Sequence, residues 1–169
     1  MNIFNNFDNW IAEFAFQSGL EIFIVLSVIY LLSYKIDALI WFNEYARNDE
    51  TETSKKITTK IPPALIFITL GLVLFIMLVL NSLELYALNP EYSQTNVFII
   101  HLLTFSVYNI LDVLIIDYLM HTRLKPVFMN IPGTTGQYRL SVHIGIFFRN
   151  YIYAGVICFA AAVTANFVG

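Results

Sequence analysis

This sequence predicts an all-α fold, a four-helix transmembrane bundle, and three observations predict it. Hydrophobic residues make up 58% of the chain and charged residues only 12%, outside the usual balance of a soluble globular domain. Four stretches, about 14–34, 63–86, 97–120 and 143–167, each reach the roughly 20 apolar residues that a bilayer-spanning helix needs. Polarity does not alternate within them: "LIFITLGLVLFIMLVL", residues 65–80, is apolar on every face, whereas a transmembrane β-strand runs about ten residues with alternating polarity. Helices also satisfy their own backbone groups, as lipid demands. The chain therefore reads as a single integral membrane domain, residues 1–169.

The N-terminal "MNIFNNFDNWIAEF" has neither a basic leading region nor a small-residue cleavage site, so the first helix is expected to stay in the mature protein. Of the nine Lys and Arg residues, Lys35, Arg47, Lys55, Lys56 and Lys60 flank or lie in the connection 35–62, and Arg123, Lys125 and Arg139 lie in the connection 121–142. The tail before helix one, the second connection and the C-terminus have none. Short basic loops stay cytoplasmic, so both termini are expected on the extracytoplasmic side of a cell membrane, in all expectation a bacterial cytoplasmic membrane. The first connection mixes these bases with Asp37, Glu44, Asp49, Glu50 and Glu52. Its start, with Leu39, Ile40, Trp41 and Tyr45, reads as a helix end carrying an aromatic anchor. Pro62 and Pro63 suit the first turn of helix two.

Helix three carries the least expected residues. "NILDVLIIDYLMH", residues 109–121, places Asp112 and Asp117 in an otherwise apolar run. At about 100° per residue, His101, Tyr108, Asn109 and Asp112 share one face, while Asp117 and His121 point to the other side. Helix four begins near residue 141 and carries Arg149. Antiparallel neighbours joined by a short loop bring Asp112 and Arg149 to one depth, roughly 12 Å from the cytoplasmic boundary at 1.5 Å per residue, and His143 to the depth of Asp117 and His121. An unpaired charge there costs at least about 2.5 to 3.5 kcal/mol on insertion scales, so an Asp112–Arg149 ion pair is expected, with Asn109 and Tyr108 adding hydrogen bonds. A second polar group lies nearer the outer face, in Glu21, Asn81, Glu84 and His101. Glu21 and His101 are close enough in depth to bond each other.

Several chemistries compete for these residues. Asp117 and His121 have helical i, i+4 spacing and His143 could add a third metal ligand, but no metal-binding motif supports this and no metal or cofactor is expected. A carboxylate could act as acid or base on a lipid or isoprenoid. Burial favours its protonated form and a neighbouring Arg149 the ionised one, which weakens Asp112 as an acid and leaves Glu21 the better candidate. "RLKPVFMNIPGTTGQYR", residues 123–139, could cradle an anion, although it matches no phosphate-loop spacing and reads more simply as a turn. Too few bases are exposed for nucleic acid. In helix four, Ala154, Cys158, Ala161 and Ala165 form a small-residue stripe that lets helices approach closely, within the chain by default or, in a homo-oligomer or with a membrane partner, between chains.

The run "NILDVLIIDYLM", then "KPVFMNIPGTTGQY", then His143 and Arg149, resembles a family of small, uncharacterised bacterial integral membrane proteins that share an Asn-x-x-Asp-x-x-x-x-Asp helix and an Ile-Pro-Gly-Thr loop. The likeness covers residues 97 to about 150. It implies a multi-helix membrane fold and no known activity, with Asn109, Asp112, Asp117, Pro126, Phe128 and the loop forming one unit. Three readings follow: a protein that binds a small or amphiphilic ligand at a buried Asp/Arg site between helices three and four, a membrane enzyme using a buried carboxylate, or a structural subunit of a membrane complex. The enzyme reading requires a cavity walled by Asp112 or Glu21; the subunit reading requires none.

Overall fold

A computed structural model describes residues 9–37, 61–124, 126–129 and 140–168, with side chains described for all of these except 122, 140–144 and 168. Among the described residues there is no strand. The elements are α1 (Asn9–Asp37), α2 (Pro63–Leu88), α3 (Gln94–Leu111), a π-helical continuation of α3 (Asp112–Leu124), a 3-10 turn (Val127–Met129) and α4 (Leu140–Val168). Four helical spans, Asn9–Asp37, Pro63–Leu88, Gln94–His121 and Gly145–Phe167, are long and apolar enough to cross a bilayer, the architecture of a multi-pass membrane protein. The basic segments 38–60 and 130–139, including most of the anchor at Trp41 and the Ile-Pro-Gly-Thr loop, lie outside the described residues.

Local chemistry sets the ends. Proline opens α2, where a missing N–H removes no helical bond. Between α2 and α3, Asn89 turns the chain by accepting the Glu91 N–H on Oδ1 at 3.1 Å. Ser93 then caps α3, its Oγ accepting the Asn96 N–H at 3.2 Å, which satisfies one of the first-turn donors that a helix leaves free.

The bundle is not a series of hairpins. α1 packs most extensively on α3 and α2 on α4, while α2 and α3 touch little. Within the first pair the helices run the same way: Trp10 stacks on Tyr92 with centroids 6.0 Å apart, Gly19 abuts Thr104 and Val107, and Tyr30 reaches His121. Glycine is required at 19, because a Cβ there would fall 2.7 Å from both the Thr104 carbonyl oxygen and Val107 Cβ. In the second pair Ala154, Cys158 and Ala161 of α4 pack with Leu74 and Leu78 of α2 in the main core. Ala165 is fully buried too, so the stripe on α4 faces the interior of its own chain, and a seam with a second copy would need another face.

Candidate functional site

In the half of the bundle that contains the end of α1 and the π-helical segment, a cavity of about 250 Å³ opens between all four spans. α1 contributes Leu26 and Tyr30, α2 Phe67, Leu70 and Leu74, α3 and its continuation Phe105, Tyr108, Asp112 and Asp117, and α4 a wall that includes Arg149, Asn150 and Tyr153. Asp112, Arg149 and Tyr108 thus share one cavity. Asp117 is buried, Asp112 half-buried and Arg149 exposed.

Asp117 departs from its expected position, which was the side of the helix opposite Asp112. At about 100° per residue, positions five apart lie about 140° from each other. The backbone changes at Asp112, whose N–H is shared between the Tyr108 and Asn109 carbonyls, and Asp112–Leu124 is π-helical. Bonds from i to i+5 widen the turn, which narrows the angle between positions 112 and 117, and Asp117 lines the same cavity as Asp112. Ile116, which an α-helix would align with Asp112, is instead packed away at 2% exposure.

Asn109 is fully buried and ties α3 to α4 rather than lining the cavity. Its Nδ2 donates to the Phe147 carbonyl at 3.3 Å, and its Oδ1 accepts from Asn150 Nδ2 at 3.4 Å. The amide therefore orients Asn150, which does line the cavity. His121 turns toward α1. The Tyr30 hydroxyl donates to Tyr34 at 3.4 Å and is hydrogen-bonded to His121 Nε2 at 3.3 Å. Ser33 Oγ donates to the Tyr30 carbonyl at 2.6 Å, and Met129 of the 3-10 turn packs on Tyr34. Tyr30 thereby joins the cavity to a polar group at the end of the bundle.

Known families, curated proteins and solved structures contain no match to the chain.

The second polar group is arranged differently from the sequence expectation. Glu21 is exposed on the side of α1 turned away from the bundle and accepts from Gln17 Nε2 at 3.2 Å, so it neither bonds His101 nor lines the cavity described above, because Gly19 and Ile22 take the face of α1 that packs inward. Glu84 is exposed as well. His101, fully buried, bonds Ser82 instead. Ser82 Oγ donates to the Leu78 carbonyl at 2.9 Å, so His101 Nε2, 2.6 Å away, is the donor in that bond. Nδ1 of His101 and Oγ1 of Thr104 are buried with no partner among the described residues.

Beyond the spans, Arg123 donates to the Tyr118 hydroxyl at 3.2 Å and lies 5.8 Å from the ring centroid. That bond holds its guanidinium above the ordinary arginine value. Pro126 accepts the Met129 N–H and Phe128 is partly exposed, so this part of the motif sits by the end of α1 and not at the cavity. The side chain of His143 lies outside the described residues, and among the described residues no three His, Cys, Asp or Glu side chains group as metal ligands.

Tyr30, Asn150 and the rings of Phe67, Phe105 and Tyr153 were not singled out from sequence. Asn150 had a signal: the register that aligns Asp112 with Arg149 also places it within a turn of Asn109. Tyr30 had none, because no short loop fixes the register of α1 against α3.

Proposed function

We propose that this multi-pass membrane protein binds a small amphiphilic ligand in the cavity between its four spans, with the polar end of the ligand at Asp112, Asp117 and Arg149 and its hydrocarbon against the apolar wall. One observation carries this reading: a cavity among the four spans that combines charged side chains and the Asn150 amide with an otherwise aliphatic and aromatic lining. Binding sites have this character, mostly apolar with a few convergent polar groups, and ionisable residues inside a membrane mark function by default. A purely structural subunit has no use for such a space. The basic connections support an arrangement with both termini outside and the cavity in the cytoplasmic half of a bacterial membrane. The motif likeness to small bacterial membrane proteins supports the same setting and adds no substrate.

The test is to purify the chain in a neutral detergent and identify the small molecules and lipids that remain bound, by mass spectrometry. The wild type is compared with Leu70→Trp, which fills the cavity from α2, and with Asp112→Asn. A species retained by wild type and lost from both variants is the expected result. An identical profile in all three proteins overturns the reading.

A further inference from the structure

The lining of the cavity is graded along the bundle. Leu26, Leu74, Phe105, Ala154 and Ile157 form one end, each within a turn of the middle of its span, and all five are apolar. Asp112, Asp117, Arg149 and Asn150 lie at the other end, nearer the ends of their spans. These four already interact within the protein, so it is the gradient and not the charge that singles out a ligand. A lipid in one leaflet has the same order, with its polar end at the boundary and its hydrocarbon running to the middle of a core about 30 Å thick.

The mouth of the cavity lies between α2 and α4. Among the described lining residues, Phe67 of α2 and Arg149 and Tyr153 of α4 are exposed, and none from α1 or α3 is. The sequence of α4 explains the opening. Ala154, Cys158 and Ala161 pack with Leu74 and Leu78 of α2, and small residues let helices approach closely. One and two turns earlier, α4 carries Asn150 and Phe147 instead, whose bulk ends the close approach. The surface on either side of the cleft is exposed and apolar, with Ile68 and Leu72 on α2 and Ile152 and Val156 on α4, so the mouth faces hydrocarbon. At about 250 Å³ the cavity is smaller than the roughly 300–1,000 Å³ that enclose a drug-sized ligand, and it encloses only part of a lipid.

From these observations we infer that the cavity takes one hydrocarbon chain of a bilayer phospholipid, which enters sideways through the cleft between α2 and α4 and keeps the direction it has in its leaflet. The polar end of the chain lies level with Asp112 and Asn150, and its methyl end lies at Leu74 and Phe105. The second chain stays outside, in the bilayer. This rests on the binding reading above and adds the class of the ligand and its route.

Photolabelling tests this. The full chain is reconstituted in vesicles of phosphatidylethanolamine and phosphatidylglycerol that also carry one of two phosphatidylethanolamine probes, with a diazirine either at the methyl end of one chain or beside its carboxyl carbon. After irradiation, adducts are located by peptide mass spectrometry. The methyl-end probe is expected to mark the buried Leu26, Leu74 or Phe105 in addition to the lipid-facing Ile68 and Ile152, and the carboxyl-end probe to mark Tyr108 or Asn150. Leu70→Trp should abolish the interior adducts and spare those at Ile68 and Ile152. The wild-type pattern needs no variant, so a misfolded substitution does not blunt the test. Adducts confined to outward-facing residues would overturn the inference, as would interior adducts with the two patterns exchanged. If the interior is unlabelled and the purified wild type still retains a species that Leu70→Trp loses, the binding reading stands and its ligand arrives by another route. An unlabelled interior with no such species overturns both.

Discussion

At the scale of single residues, two contacts carry sharp expectations. Gly19 meets a backbone carbonyl of α3, which cannot swing aside as a flexible side chain can. Gly19→Ala should therefore cost about 1 to 3 kcal/mol, the usual penalty for overpacking. Gly71 has nothing within 4 Å of its would-be Cβ, and Gly71→Ala should be neutral or slightly stabilising, since alanine is favoured over glycine in a helix by about 1 kcal/mol. Thermal unfolding of the two variants in the same detergent decides whether α1 and α3 touch this closely. The Ser82–His101 bond gives a second expectation. A double-mutant cycle on Ser82→Ala and His101→Leu should show coupling of about 0.5 to 1.5 kcal/mol, the range for bonds between membrane helices. Coupling between Glu21→Gln and His101→Leu should be near zero, and a substantial value there would mean that Glu21 points inward after all. Sequence depth alone placed Glu21 beside His101. What it lacked was the face of α1, which the close approach at Gly19 determines.

At the scale of elements, the π-helical segment decides what the cavity contains. Period and depth sufficed to bring Asp112 level with Arg149, because both belong to helices joined by a short connection. They misplaced Asp117, because the analysis of faces at 3.6 residues per turn holds only where the ladder is α-helical, and nothing in the composition of "DVLIIDYLMHTRL" marks the change of period. The two geometries differ in chemical reactivity. In a Cys158→Ala background, Asp112→Cys and Asp117→Cys should both react with a small water-soluble thiol reagent, and adding Leu70→Trp, which fills the cavity, should slow both. Ile116→Cys should react slowly with or without Leu70→Trp. Slowing shared by positions 112 and 116, with 117 unaffected, would show an ordinary α-helix in this span.

For the whole molecule, composition and four apolar stretches were enough to read an all-helical membrane bundle, since lipid leaves helices few alternatives once polarity fails to alternate. The pairing of α1 with α3 and α2 with α4 was not legible, because helices apolar on every side do not announce their neighbours. The small-residue stripe on α4 favoured a partner within the chain by default, and its spacing did not say which helix that partner is. Its burial against α2 now gives a definite expectation. Ala161→Leu should destabilise the bundle by about 1 to 3 kcal/mol and leave the oligomeric state unchanged in light scattering. A change of mass without loss of stability would instead assign the stripe to an interface between chains.

The alternating pairing also constrains how the chain assembles as it leaves the ribosome. The first two spans find their main partners only after an intervening span has been made: α1 waits for α3, and α2 waits for α4. Early insertion therefore yields α1 and α2 with few mutual contacts, and synthesis of α4 completes both the core around Leu78 and the last wall of the cavity. The ligand site is the final feature to form, so a protein truncated after Leu124 would be exposed to membrane quality control before it could bind anything.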